Sequence, residues 1–330
     1  MSHFPVTNSN LSAIHLADYL INNYPLGIAA QCRILKAGIN DTYLVKSSAG
    51  KFVFRVYSYN WRTRIEISEE LKLLERLHQA GISVSYPLKD NNENYIQELD
   101  APEGLRFGVL FSYAEGEKLP ACSNEVHYNA GVLMAELHKV VINHNLARVT
   151  YTLKVLLDDS LNEIAQFLPE DSEEMIFLRT TRDYLAKEFE GFKTDELRRG
   201  ILHNDIWFDN LNVGKDNKIT LFDFDFCGNG WLCQDIAYYV MMIHYMDKDE
   251  VSCKGKTNSF LKGYESITPI GAEERRILPA LGVALSYFYL GTQCERYDNW
   301  SNVFLNDAHL KRYVNLVIKR YYELSLKMVF

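Results

Sequence analysis

The chain has 330 residues, 47% of them hydrophobic and 24% charged, which is enough apolar matter for two packed lobes and too much for wholesale disorder. Its 43 acidic side chains outnumber 35 basic ones and leave a net charge of −8, a balance that argues against a protein built to grip nucleic acid. The six cysteines form no CxxC pair and no Cys/His cluster of zinc spacing, so reduced thiols in a cytoplasmic protein are expected.

In chain order, Leu11 to Asn23 reads as a leading helix. Two alternating runs, Thr42 to Lys46 and Lys51 to Tyr57, flank the turn-forming Ser47-Ser48-Ala49-Gly50 and predict a hairpin with Arg55 opposite Thr42. Ile67, Leu71, Leu74 and Leu77 have helical spacing, and Ala80-Gly81 stops that helix. A second hairpin is expected across Val84 to Leu99, with Asp90-Asn91-Asn92 at its tip, then a strand over Arg106 to Tyr113. Beyond Gly116 the pattern turns helical: one stripe through Val126, Ala130, Leu133, Met134 and Leu137, further helices over 152–167 and 173–189, and a last one over 306–326. Only 201–223 interrupts with strand-like runs. The expected class is α+β, with a small antiparallel-sheet lobe over 1–115, a larger mainly helical lobe over 116–330, and a cleft near residue 115. The longest uninterrupted apolar run, Ile236 to Ile243, is too short to cross a bilayer, and Met1 to Asn10 lacks a signal-peptide pattern. No membrane partner is expected.

The chemistry concentrates in Leu202-His203-Asn204-Asp205-Ile206-Trp207-Phe208-Asp209-Asn210 and Ile219-Thr220-Leu221-Phe222-Asp223-Phe224-Asp225. Between them, Gly214-Lys215-Asp216-Asn217-Lys218 is a strong turn sequence. A hairpin centred between Asp216 and Asn217 puts Asn210 opposite Asp223, and a slip of one residue would spoil that match. An amide oxygen facing a carboxylate suits Mg2+, which completes its shell with water and nucleotide phosphates. Asp205, five residues before Asn210, is placed to orient a substrate hydroxyl and accept its proton while the γ-phosphoryl group leaves ATP. If the strand continues, Asp225 would point to the opposite face, supporting the site or holding a second cation. Asp and Asn are common turn residues, but here His-x-Asp-x4-Asn, a turn and an apolar strand ending in Asp coincide.

Residues 203–223 resemble the catalytic core of the aminoglycoside phosphotransferase and choline kinase superfamily, relatives of the protein kinases that include type II homoserine kinases and bacterial stress-response kinases. The resemblance implies the protein-kinase-like fold and an ATP- and Mg2+-dependent transfer to a hydroxyl. Asp205 would be the catalytic base, Asn210 and Asp223 the metal ligands, and His203 a brace for the loop. Gln234-Asp235-Ile236-Ala237 resembles the family's Asp-Leu-Ala helix start, where Asp235 buttresses the catalytic loop; an ordinary acid at a helix N-terminus reads the same way. This chain has Asn204, Trp207 and Asp209 where the family commonly has Gly, His and Gly.

Nucleotide contacts are expected from three places. The turn Gly38-Ile39-Asn40 lets backbone N–H groups approach phosphates, and the planar fork of Arg55 suits phosphate oxygens, although an Arg in a hairpin is more often a solvated residue. By resemblance, Arg55 stands on the strand that usually carries the kinase Lys, and Glu70 is the helix acid that pairs with it. Phe111-Ser112-Tyr113-Ala114 resembles the hinge, where the Ser112 carbonyl and Ala114 amide would read the purine edge and Phe111 would back the pocket. The acceptor is expected to be a small molecule (aminoglycoside, homoserine or choline-like), with Trp207, Asp209, Arg296 and the aromatic segment Tyr287-Phe288-Tyr289 as pocket candidates. A Ser/Thr protein acceptor is the alternative within the fold. A non-catalytic nucleotide-binding pseudokinase is the alternative from another class, and it would be expected to lack Asp205, Asn210 or Asp223.

Overall fold

The alternating runs of the first third pair into an antiparallel sheet with their neighbours, in a computed structural model that describes residues 4–28, 30–119 and 121–326. One compact unit runs through Glu115 and takes in Asp298–Trp300, and the second unit begins at Gly116. The first unit holds α1 (Ala13–Asn23), β1 (Ala30–Ala37), β2 (Asp41–Ser47), β3 (Gly50–Val56), α2 (Arg64–Gln79), β4 (Pro87–Leu88), β5 (Ile96–Ala101) and β6 (Gly104–Ser112). The expected hairpin of β2 and β3 forms with Arg55 opposite Thr42. The strand β1 was not foreseen: most of its residues are exposed, so it lacks a continuous buried face to mark it.

The expected second hairpin does not form. The two-residue β4 and the longer β5 both pair with β6, on the edge opposite β3, and not with each other. Asp90 explains this: its carboxylate accepts from the N–H groups of Asn92 and Asn94, both at 2.8 Å, and closes the segment into a loop before a ladder can start. Leu16, Leu20, Tyr24, Tyr43, Val45, Phe54, Val56 and Leu110 form the core of this unit. Thr63 caps α2 reciprocally with Glu66, and Ala80 ends it as the sequence predicts.

The second unit contains α3 (Asn124–Val141), α4 (Ser160–Ile164), α5 (Glu173–Glu190), β7 (Arg199–Leu202), β8 (Leu211–Val213), β9 (Ile219–Leu221), β10 (Gly228–Trp231), α6 (Cys233–Met246), α7 (Glu250–Glu265), α8 (Ala272–Glu295), α9 (Asp307–Tyr313) and α10 (Arg320–Ser325). Wide π-helical turns, Lys154–Asp159 and Val314–Lys319, lead into α4 and α10. All five residues of the predicted stripe on α3 are buried. Two glycines let α3 and α7 touch along their backbones. A Cβ at Gly131 would lie 2.1 Å from the Phe260 carbonyl oxygen, and one at Gly263 would lie 1.9 Å from that of Tyr128. Among the described residues, α8 is long and apolar enough to cross a membrane, although its own residues are mostly buried against this unit. Pro279, Gly282 and Ser286 interrupt its apolar run, so Ile236 to Ile243 is the longer uninterrupted one in the sequence.

Candidate active site

The strand β7 ends at Leu202, and the next two residues are pinned from below by one carboxylate. Asp235, in the first turn of α6, accepts from the backbone N–H of His203 at 3.1 Å and of Asn204 at 2.6 Å. Its Oδ2 also meets His138 Nε2 at 3.1 Å, so the acid is fully buried and fully engaged. Asn204 takes a left-handed conformation, φ 59°, which Asn tolerates better than most residues; it also explains how a non-glycine fits there. His203 Nδ1 accepts from the Asp205 N–H at 3.1 Å, which leaves Nε2 as the protonated nitrogen facing the Phe222 carbonyl at 3.1 Å. The ring thereby ties the Asp205 loop to the end of β9.

The hairpin of β8 and β9 carries a register different from the one predicted. Its centre is Asp216, with Leu211 opposite Leu221, so Asn210 faces Phe222 and not Asp223. The Phe222 N–H donates to the Asn210 carbonyl at 3.1 Å. The turn takes an odd number of residues because Asp216 and Asn217 both adopt left-handed conformations, φ 58° and 54°. Asp223 then leaves the strand with φ 65°, so its side chain does not follow the strand's alternation. The strand does not continue to Asp225: β9 stops at Leu221, and Asp225 is buried with its carbonyl accepting from Arg148.

Asp205 and Asn210 meet directly. Asn210 Nδ2 donates to Asp205 Oδ2 at 2.8 Å and to its backbone carbonyl at 3.0 Å. With the nitrogen so engaged, the amide oxygen Oδ1 is the atom left to serve as a ligand. Tyr238 Oη donates to the other oxygen, Asp205 Oδ1, at 2.6 Å. Burial pushes the Asp205 carboxyl up to about 8; the Tyr238 hydrogen bond works against that, and the charge of Asp223 adds to it. Some of the Asp205 surface stays open to solvent. A carboxylate with that affinity can hold a proton near neutral pH, as a general base requires.

The chemistry of these donors fits a hard cation. Two acids whose charges repel, with an amide oxygen beside them, make a region that a divalent ion would relieve. Among the described residues no group of three His, Cys, Asp or Glu forms a ready-made metal cage. An ion held here would take further ligands from water and phosphate, as Mg2+ does.

The remaining expectations fall in several places. Trp207 is partly exposed and packs edge-on against Phe208, and Asp209 pairs with Lys118 Nζ at 2.6 Å. Arg296 caps the C-terminus of α8 and is buried. In the first unit, Arg55 Nη1 meets Glu70 Oε1 at 2.9 Å, and Glu70 has no exposed surface. Asn40 is buried, its Oδ1 accepting from the Ser58 N–H at 3.1 Å, and Gly38 N–H closes the turn onto the Asn40 carbonyl at 3.3 Å. The Phe111 ring lies under the Arg55 guanidinium at 5.2 Å. The Ser112 carbonyl accepts from Ser85 Oγ at 2.6 Å and keeps a second lone pair; Ala114 is buried. Sequence reasoning missed Tyr238 altogether. Its signal was available: it stands one helical turn after Asp235, on the face that meets the same loop.

A family model described as the phosphotransferase enzyme family matches residues 31–268. The chain belongs to this family. Among curated relatives, an uncharacterized protein of Synechocystis is 31% identical over 84% of this chain and 77% of its own. The homoserine kinase of Methylobacillus glycogenes is 25% identical over 90% and 86%. Among solved structures, a microcompartment-associated aminopropanol kinase superposes with TM-score 0.77 at 20% identity, covering 94% of this chain and 98% of that one. An amicoumacin kinase, solved with AMP-PNP and Ca2+, gives 0.71 at 18% identity, covering 89% and 91%. The kinase-like fold follows, in a chain whose family is one of phosphotransferases.

Proposed function

We propose that this phosphotransferase moves the γ-phosphoryl group of ATP to the hydroxyl of a small amino-bearing alcohol, with Asp205 as the base. The observation that carries the reading is the Asp205 carboxylate, held by a donor on each oxygen and raised in proton affinity beside Asp223. Asp205 accepts the hydroxyl proton as the oxygen attacks phosphorus, and positioning supplies most of the catalysis. Asn210 Oδ1 and Asp223 would hold Mg2+, which, when bound, offsets charge on the phosphates. Arg55, set by Glu70, the Gly38–Asn40 turn and the Phe111–Ala114 segment are the nucleotide contacts. Homoserine and aminopropanol, named for two relatives, both join an amine to an alcohol, and the net charge of −8 suits a cationic acceptor.

Two substitutions separate the roles. Asp205→Asn is expected to cut phosphoryl transfer by about 10³-fold or more while nucleotide affinity, measured calorimetrically, stays near wild type. Asp223→Asn should weaken Mg2+-dependent nucleotide binding and turnover together. ATP consumption with homoserine, aminopropanol, choline and aminoglycosides identifies the acceptor. An Asp205→Asn variant with full turnover would refute the base assignment.

A further inference from the structure

Two tyrosine hydroxyls, one from α6 and one from α8, end on the loop that carries Asp205. Tyr238 Oη donates to Asp205 Oδ1 at 2.6 Å, while Asn210 Nδ2 donates to Oδ2 at 2.8 Å. A carboxylate with one donor on each oxygen can no longer turn about its Cβ–Cγ bond, yet each oxygen keeps a lone pair. Tyr289 stacks on Tyr238 with ring centres 4.8 Å apart and planes 25° from parallel. Its hydroxyl donates to the carbonyl of Asn204, the residue before Asp205. Phe226 meets the edge of Tyr289 at 5.7 Å, so the rings are themselves packed in place. Burial, then the nearby Asp205 charge, holds both phenols well above their usual range, so each stays a donor and neither takes part as an acid.

Resting on the reading of Asp205 as the base, we infer that Tyr238 and Tyr289 are positioning residues. Tyr238 sets the plane of the Asp205 carboxylate, and Tyr289 sets the peptide that carries it. Together they aim a free lone pair of Asp205 at the acceptor hydroxyl. Each acts through Asp205 or the peptide before it. Their effect lies in alignment, where a displacement of about 1 Å costs on the order of 100-fold in rate.

Tyr238→Phe and Tyr289→Phe each delete one oxygen and keep the stacked rings. Steady-state kinetics would follow Mg2+-dependent ATP turnover with homoserine, aminopropanol or water as the acceptor. For each variant, kcat is expected to fall roughly 10- to 100-fold, with KM for ATP and acceptor within about twofold and the thermal midpoint close to wild type. A crystal structure of Tyr238→Phe should show the Asp205 carboxylate rotated away from Asn210 Nδ2, a readout that needs no acceptor. Turnover within twofold of wild type, or an unmoved Asp205 carboxylate, overturns the inference. So does a loss confined to acceptor KM, which would make the hydroxyls substrate contacts. If one variant does not fold, the other carries the test, because the two act on different atoms of the same loop. An inactive Asp205→Asn beside wild-type-like tyrosine variants sinks only the positioning role; a fully active Asp205→Asn sinks the base itself.

Discussion

Asp235 carries more of the second unit than its place in a first helical turn suggests. It satisfies two consecutive backbone N–H groups and one imidazole, all away from water. Asp235→Ala should therefore cost about 3 kcal/mol in a denaturant titration, since three donors lose their acceptor at once. It should also lower turnover, because His203 and Asn204 lead directly into Asp205. An ordinary helix N-terminal acid would cost nearer 1 kcal/mol. The types and spacing of His203, Asp205, Asn210 and Asp223 were legible because the linear motif is dense. The direction of Asp223 was not, since a left-handed residue cancels the alternation on which strand reading depends.

At the scale of elements, close contact explains both what holds and what would fail. α3 and α7 meet where Gly131 and Gly263 leave room, and any Cβ there strikes backbone that cannot swing aside. Gly263→Ala should separate the helices and cost roughly 1–3 kcal/mol in urea unfolding, whereas Gly81→Ala is limited to the strain of its positive φ, with open space around it. In the first unit, the fully buried Arg106 gathers Asp41 at 2.9 Å, Glu103 at 3.2 Å and the carbonyls of Ser9 and Tyr57. Arg106→Met leaves buried carboxylates without their cation, and a loss of about 3–5 kcal/mol is expected by the same titration. The hairpin of β2 and β3 was readable to the residue, because a short turn and two alternating strands define a register locally. That of β8 and β9 was off by one, since Gly214 to Lys218 accommodates either an even or an odd turn and only the backbone conformations of Asp216 and Asn217 decide.

For the molecule as a whole, the pH dependence of stability has a named contributor. Burial, then the charge of Lys256, lowers the His127 imidazole to about 4, with Tyr239 Oη 3.1 Å from its Nδ1. The unfolded chain takes up a proton at His127 near pH 6.5, and the folded one resists until about pH 4. The stabilising contribution is therefore complete above pH 6.5 and is lost as pH falls from there towards 4. Between pH 6.5 and 5 the loss should be roughly 1–2 kcal/mol, and His127→Gln should flatten that part of a calorimetric pH series.

Sequence alone determined the class of fold, the order of most elements and the spacing of His203, Asp205, Asn210 and Asp223, because periodicity and a dense motif are local properties. Asp235 was singled out by the family resemblance of Gln234-Asp235-Ile236-Ala237, since its helix-start position alone fits an ordinary N-terminal acid. The tertiary structure decided that β4 and β5 share the edge of β6, that Asn210 faces Phe222, and that Tyr238 and Tyr289 reach the Asp205 loop. The tyrosine contacts join groups 33 and 85 residues apart and depend on how α6 and α8 pack, which no local pattern encodes; the other two turn on the Asp90 loop and on the left-handed backbone of Asp216 and Asn217, which side-chain periodicity does not reveal.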